Sequence, residues 1–298
     1  MATETIGLIY ILISQICWGL APKTIKLLSP TIPASMIVFI RFIMASSLLF
    51  SLIIIRNKTR KALFSLTRKQ LALLVGFGLI GSGFPDLFFI YGIRHAGSII
   101  GIVLARLEIP LTVLLAAFLL KEKLNRTIIM ATILSFFGVL LISFKNSTAI
   151  SISDTFYLGV IAAIVAAFIW AYTNIYGKKL LSMTMVPIII VTIRLFIGAM
   201  FNLGLTLMSK NDVMSLLMAI SFQDWLKLLF LGFFSSAVGY YTFYKGLGLI
   251  KVQKAAILLS GAMVIAVFVG LITGESLSIL QWFGVLSIFT AIILINRK

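Results

Sequence analysis

Ten runs of 17 to 24 mostly apolar residues follow one another along the chain, parted by short polar or basic turns. They are Ile6–Leu28, Ala34–Ile55, Gln70–Tyr91, Gly97–Leu120, Thr127–Phe144, Tyr157–Gly177, Val186–Met208, Trp225–Tyr244, Ala255–Thr273 and Ile279–Ile295. A helix needs roughly 20 such residues to cross about 30 Å of hydrocarbon. Strands of this length would be too long, and lipid admits only helices or closed barrels, because every backbone polar group must be satisfied within the protein. The pattern predicts an all-α integral membrane protein with ten transmembrane helices.

The pattern is also written twice. Residues 78–124 and 231–277 align without a gap, matching Phe88 to Tyr241, Tyr91 to Tyr244, Glu122 to Glu275 and Leu124 to Leu277. Upstream, QICWGLAPKTIKLL is echoed by AFIWAYTNIYGKKLL, placing Trp18 against Trp170 and Lys26 against Lys178. IVFIRFIMA is echoed by IVTIRLFIGA, placing Arg41 against Arg194. Two units follow, residues 1–148 and 149–298. Each holds an odd number of spans, so the second enters the membrane upside down. Inverted repeats place a binding site near the midplane between the halves.

Charge sets the orientation. With the N-terminus inside, sixteen Lys and Arg residues fall in inner loops and six (Lys23, Lys26, Arg94, Lys145, Lys210, Lys227) in outer ones. The positive-inside rule then puts both termini in the cytoplasm. This placement accounts for the net charge of +17 without a nucleic-acid partner, and the 61% hydrophobic content calls for a lipid bilayer. The leader MATETIG lacks a basic segment, so the first run is read as a retained helix. Cys17 is the sole cysteine and His95 the sole histidine. The chain has no phosphate-binding glycine loop and no Cys/His cluster at ligand spacing, so neither ATP hydrolysis nor a metal or other cofactor is expected.

The repeated Trp-Gly or Trp-Ala in the first helix, Arg in the second and Glu closing the fourth resemble the EamA family of the drug/metabolite transporter superfamily. The sequence departs from that family at Met263, where proline is usual. The resemblance implies a secondary active transporter of the cell (inner) membrane, not an enzyme, that moves a small organic metabolite by alternating access. An amino acid or related compound, exported and coupled to protons, is the expected substrate. An importer of a cationic metabolite, or a membrane protein that transports nothing, stays open, as does a homodimer.

Ionisable groups inside a bilayer cost free energy and face partners or water. Arg41, Arg106 and Arg194 read as structural charge partners, and Asp86 and Glu108 as proton-coupling candidates. Arg106 is expected to pair with Asp86, leaving Glu108 to the cavity or to Arg41. Rings can stack a planar substrate or hold an ammonium. On the helices that resemble the family's cavity-lining ones, the substrate-binding candidates are Trp18, Phe84, Phe88, Tyr91, Trp170, Tyr240 and Tyr241, with Glu108. Gln15 and Asn174 are deep amides one turn from the tryptophans and join them as hydrogen-bonding candidates. Glycines near Pro85, and the Gly97 and Gly270 motifs, read as close helix contacts, with Pro85 able to kink its helix. Glu122 and Glu275 read as structural groups at the membrane edge.

Overall fold

The computed structural model describes residues 2–96, 104–143, 155–183, 185–209, 212–272 and 278–296. Glu275, the motif glycines 97, 101 and 274, and Lys145, Lys210, Arg297 and Lys298 lie outside them. The described residues are helical with short connections. The first half comprises α1 (Ala2–Lys26), α2 (Ala34–Ile55), a short exposed α3 (Asn57–Phe64), α4 (Arg68–Gly78), α5 (Pro85–Ala96), α6 (Glu108–Leu119) and α7 (Arg126–Ser143). The second comprises α8 (Phe156–Ser182), α9 (Pro187–Met208), α10 (Val213–Ala219), α11 (Phe222–Phe230), α12 (Gly239–Leu249), α13 (Val252–Leu258), α14 (Gly261–Ile272) and α15 (Ile279–Asn296). Six helical stretches are long and apolar enough to cross a membrane, and Glu108–Leu119, Arg126–Ile142, Val252–Ile265 and Ile279–Ile295 are shorter apolar helices. Large apolar side chains such as Phe118, Met208 and Ile272 point outward, as a lipid-facing surface requires.

The third long stretch of each half starts and bends alike. Thr67 and Gln70 form a reciprocal capping box at α4, and Ser221 accepts the Asp224 N–H at α11. Both stretches then widen into π-helical segments, Leu79–Gly83 between α4 and α5 and Leu231–Val238 between α11 and α12. In the first, Pro85 has no N–H for the Gly81 carbonyl four residues back, so that oxygen is free for another donor.

The fourth and ninth apolar runs, expected as continuous helices, differ from expectation. The described part of the fourth turns at Arg106–Leu107 before α6, and the ninth turns at Leu259–Ser260 between α13 and α14. Pro110 sits in the first turn of α6, where its missing N–H would otherwise have bonded Arg106. In the ninth, the Ser260 hydroxyl donates to the Ile257 carbonyl at 2.6 Å, and Gly261 follows. The turns occupy equivalent positions in the repeat, so each leaves a helix end inside the protein.

Side chains tie loops to helix ends, Glu122 and Lys227 across the two halves and Lys178 and Arg94 within one. Glu122 accepts the N–H groups of Val252 and Gln253 at 3.0 and 3.1 Å, capping α13 from the other half. Lys178 donates to the carbonyls of Leu247 and Ile250 at 2.7 and 2.8 Å, closing α12. Arg94 donates to Ile32 O, and Lys227 to Leu27 O. Glu122→Ala removes the α13 cap and is expected to cost about 1 kcal/mol, read as a lower melting temperature of the detergent-solubilised protein. Glu122→Gln should recover part of that loss.

Candidate functional site

Both halves contribute to one cavity of about 720 Å³, counting the space at its mouth. α1 supplies Trp18 and Pro22, α2 Arg41, α5 Asp86 and Phe89, and the turn before α6 Arg106 with Glu108 behind it. From the second half, α8 supplies Trp170, Thr173 and Asn174, α9 Arg194, the second π segment Ser235, and α12 Tyr240 and Phe243.

The two arginines that occupy matching positions in the repeated sequence each reach a residue of the other half. Arg41 pairs with Asp86 at 3.2 Å and donates from Nε to the Ser236 hydroxyl at 3.0 Å. Arg194 donates from Nε to the Ser82 hydroxyl at 2.7 Å, from Nη2 to the freed Gly81 carbonyl at 2.5 Å, and from Nη1 to the Tyr244 hydroxyl. The rings of Phe77 and Tyr240 lie 4.9 Å from its guanidinium carbon. Each arginine therefore meets a π segment of the other half. The Trp18 indole N–H donates to Ser235 O at 3.0 Å in the same manner. Its ring lies edge-on to Tyr240, with centroids 5.3 Å apart. On the opposite wall Phe89 meets Trp170 at 5.2 Å.

The expected ion pairs are rearranged. Asp86 is held by Arg41, and also accepts from the Tyr240 hydroxyl at 3.3 Å, so Arg106 does not take it. Glu108 does not turn to Arg41 either: its Oε1 accepts the Asn174 amide at 2.8 Å. Arg106, left over, has a buried Nε with no hydrogen-bond partner among the described residues.

Trp18, Trp170, Asn174, Tyr240, Asp86, Glu108, Arg41, Arg106 and Arg194 line the cavity; Gln15, Phe84, Phe88, Tyr91 and Tyr241 lie elsewhere. Gln15 is buried, and its amide donates to the Ser14 hydroxyl at 2.9 Å. Phe84 packs on Phe88 and Phe201, Tyr91 on His95, and Tyr241 beside Lys245. Asp86 and Phe89, three residues apart, share the face of α5 that lines the cavity, whereas Phe84 and Phe88, four apart, share another, so the helix cannot bring both pairs to the cavity. Phe89, Thr173, Ser235 and Phe243 are lining residues that sequence reasoning missed. The nearest signal was for Phe89, three residues after Asp86 and so on the same helix face.

The pattern of the EamA-like transporter family matches residues 5–144 and 157–297, which together take in both walls of the cavity. Along nearly its whole length the chain is similar to curated transporters. It is 24% identical over 281 residues to YyaM, an uncharacterized transporter of Bacillus subtilis, covering 93% of this chain and 87% of that one. It is 26% identical over 290 residues to a probable amino-acid metabolite efflux pump of Escherichia coli, covering 94% and 91%. A shorter match, 28% identical over 182 residues, covers 59% of this chain and 55% of the inner membrane transporter YhbE of Escherichia coli. A solved crystal structure superposes with a TM-score of 0.80 over 99% of this chain and 96% of its own, at 16% identity, a likeness of fold.

Proposed function

Since the chain belongs to the EamA-like transporter family of the drug/metabolite transporter superfamily, and is a multi-pass protein of the cell (inner) membrane, we propose that it is a secondary transporter exporting a small organic metabolite, an amino acid or a close relative. The observation that carries this reading is the cavity. Aromatic walls, two carboxylates and three guanidinium groups converge at the junction of the two matched segments, in a chain whose outer surface is apolar. Ionisable groups grouped inside a bilayer mark a substrate or ion path.

Our reading has ten spans in two inverted repeats of five, residues 1–148 and 149–298, with both termini inside and access alternating by rocking of the halves. It is supported by the loop contacts. Glu122 with Val252, Lys178 with Ile250, Arg94 with Ile32 and Lys227 with Leu27 each join segments that the charge count puts on one side. Export is supported by the name of the Escherichia coli efflux relative.

For proton coupling the two carboxylates are not equivalent. Asp86 is neutralised by Arg41, whereas Glu108 is held by a neutral amide and can change charge without breaking an ion pair. Glu108→Gln is expected to leave binding measurable while abolishing the dependence of flux on an imposed pH gradient. Flux through Glu108→Gln that still follows the gradient would remove Glu108 from that role. The cationic importer is disfavoured, because the wall carries more guanidinium than carboxylate groups. The reading is tested by a thermal-stability screen of the purified protein against a metabolite library, since a ligand at about 100 times its dissociation constant adds about 2.7 kcal/mol to the state that binds it. Stabilisation by amino acids or their relatives supports it, and stabilisation by quaternary amines alone would overturn it.

A further inference from the structure

Two buried cations, Arg41 and Arg194, the half-buried Arg106 and two buried anions share the cavity wall, and the hydrogen bonds and close ion pairs there account for all but Arg106. Arg41 is matched by Asp86. Arg194 is satisfied by two hydroxyls, a backbone carbonyl and aromatic faces. Glu108 is taken by Asn174, which also reaches the Thr112 hydroxyl at 3.4 Å. Arg106 feels the Glu108 charge from beyond ion-pair distance, but has no ion pair within 4 Å and no hydrogen bond among the described residues; its Nε is buried and orphaned, and the side chain lines the cavity. A guanidinium presents five N–H donors in a planar fork that fits a carboxylate with two parallel bonds. A buried N–H left without an acceptor is costly, and a ligand that supplies the acceptor recovers that cost.

The surroundings narrow the ligand further. Arg106 lies in the turn immediately before α6, whose twelve residues start at Glu108, and no side chain caps that start. Trp18, Phe89 and Trp170 supply apolar rings in the same cavity, and Glu108 is an anion two residues from Arg106. From this arrangement we propose that Arg106 receives a carboxylate of the transported substrate. The substrate class is then a small carboxylate with an apolar body, and for an amino acid the ammonium falls to Glu108. This rests on the transporter reading above and gives that site its anion-binding residue.

The test compares matched ligands on the full-length protein in detergent. Each of a set of apolar and aromatic L-amino acids is paired with its amino alcohol, which differs only in the carboxylate, and affinities are taken from ligand-dependent melting. Inorganic phosphate and sulfate are run alongside. The expected result is stabilisation by at least one amino acid, binding at least about tenfold weaker for its alcohol, and no comparable effect of the inorganic anions. Arg106→Gln should erase the difference within the pair, and Arg106→Lys should retain part of it. If acid and alcohol bind equally, or only phosphate or sulfate binds, the carboxylate assignment falls while the transporter reading stands. If the set gives no shift, the assignment falls too, and a wider library then decides between a different substrate and no transport. The comparison within wild-type protein decides the matter even if Arg106→Gln does not fold.

Discussion

Replacing Asp86 with alanine is expected to destabilise the protein by about 3–5 kcal/mol, because it strips the carboxylate from a buried arginine and leaves that charge unmatched in the membrane interior. The Arg41 and Asp86 side chains are 5% and 4% exposed, so water cannot take over the role. The hydroxyl of Tyr240 loses its acceptor at the same time. The same logic predicts the rescue. Arg41→Met with Asp86→Ala removes the charge along with its partner and should recover most of the loss, since a whole pair can be exchanged for apolar groups at little cost. Thermal unfolding of the two single variants and the double variant checks this. A double variant as unstable as the sum of the singles would mean that the pair acts as two independent hydrogen-bonding groups.

The second large effect comes from packing. A Cβ at Gly177 would lie 2.4 Å from Cε1 of Tyr244, and Tyr244 is fully buried, with its hydroxyl held by Arg194. The ring cannot step aside without breaking that contact. Gly177→Ala is expected to cost about 1–3 kcal/mol and Gly177→Leu more, as overpacked cores do. Gly76→Ala, with nothing within 4 Å of the added carbon, should be close to neutral. Melting temperatures of the three variants measure the contrast. Equal losses at Gly177 and Gly76 would mean that backbone freedom, not the approach of α8 to α12, sets the cost.

Much of this was legible from residue order. The helical class followed from the apolar runs, and the repeat singled out Trp18, Trp170, Arg41 and Arg194, all of which line the cavity. What could not be read is which half each arginine would bond. Arg41 and Arg194 occupy equivalent positions, yet only the first meets a carboxylate, because Asp86 is matched in the second copy by Gly239. Arg106 does not pair with Asp86 because Arg41 of α2, in the same half, takes that carboxylate, and nothing in the residue order ranks α2 above the turn before α6 as its neighbour. Gln15 shows a different limit. It lies one turn from Trp18, as expected, but it is fully buried and its amide bonds within α1. The turns at Arg106 and Ser260 left only Pro110 and Gly261 as local signs.

The most direct measurement is flux in liposomes containing only this protein, with wild type and Trp18→Ala compared for the metabolite that most raises the melting temperature. Trp18 lines the cavity and hydrogen-bonds the second π segment. Saturable flux by the wild type, with a KM at least about tenfold higher in a folded Trp18→Ala protein, is the predicted result. No saturable flux, or the same KM and rate in both proteins, would contradict the assignment of this cavity as the transport site.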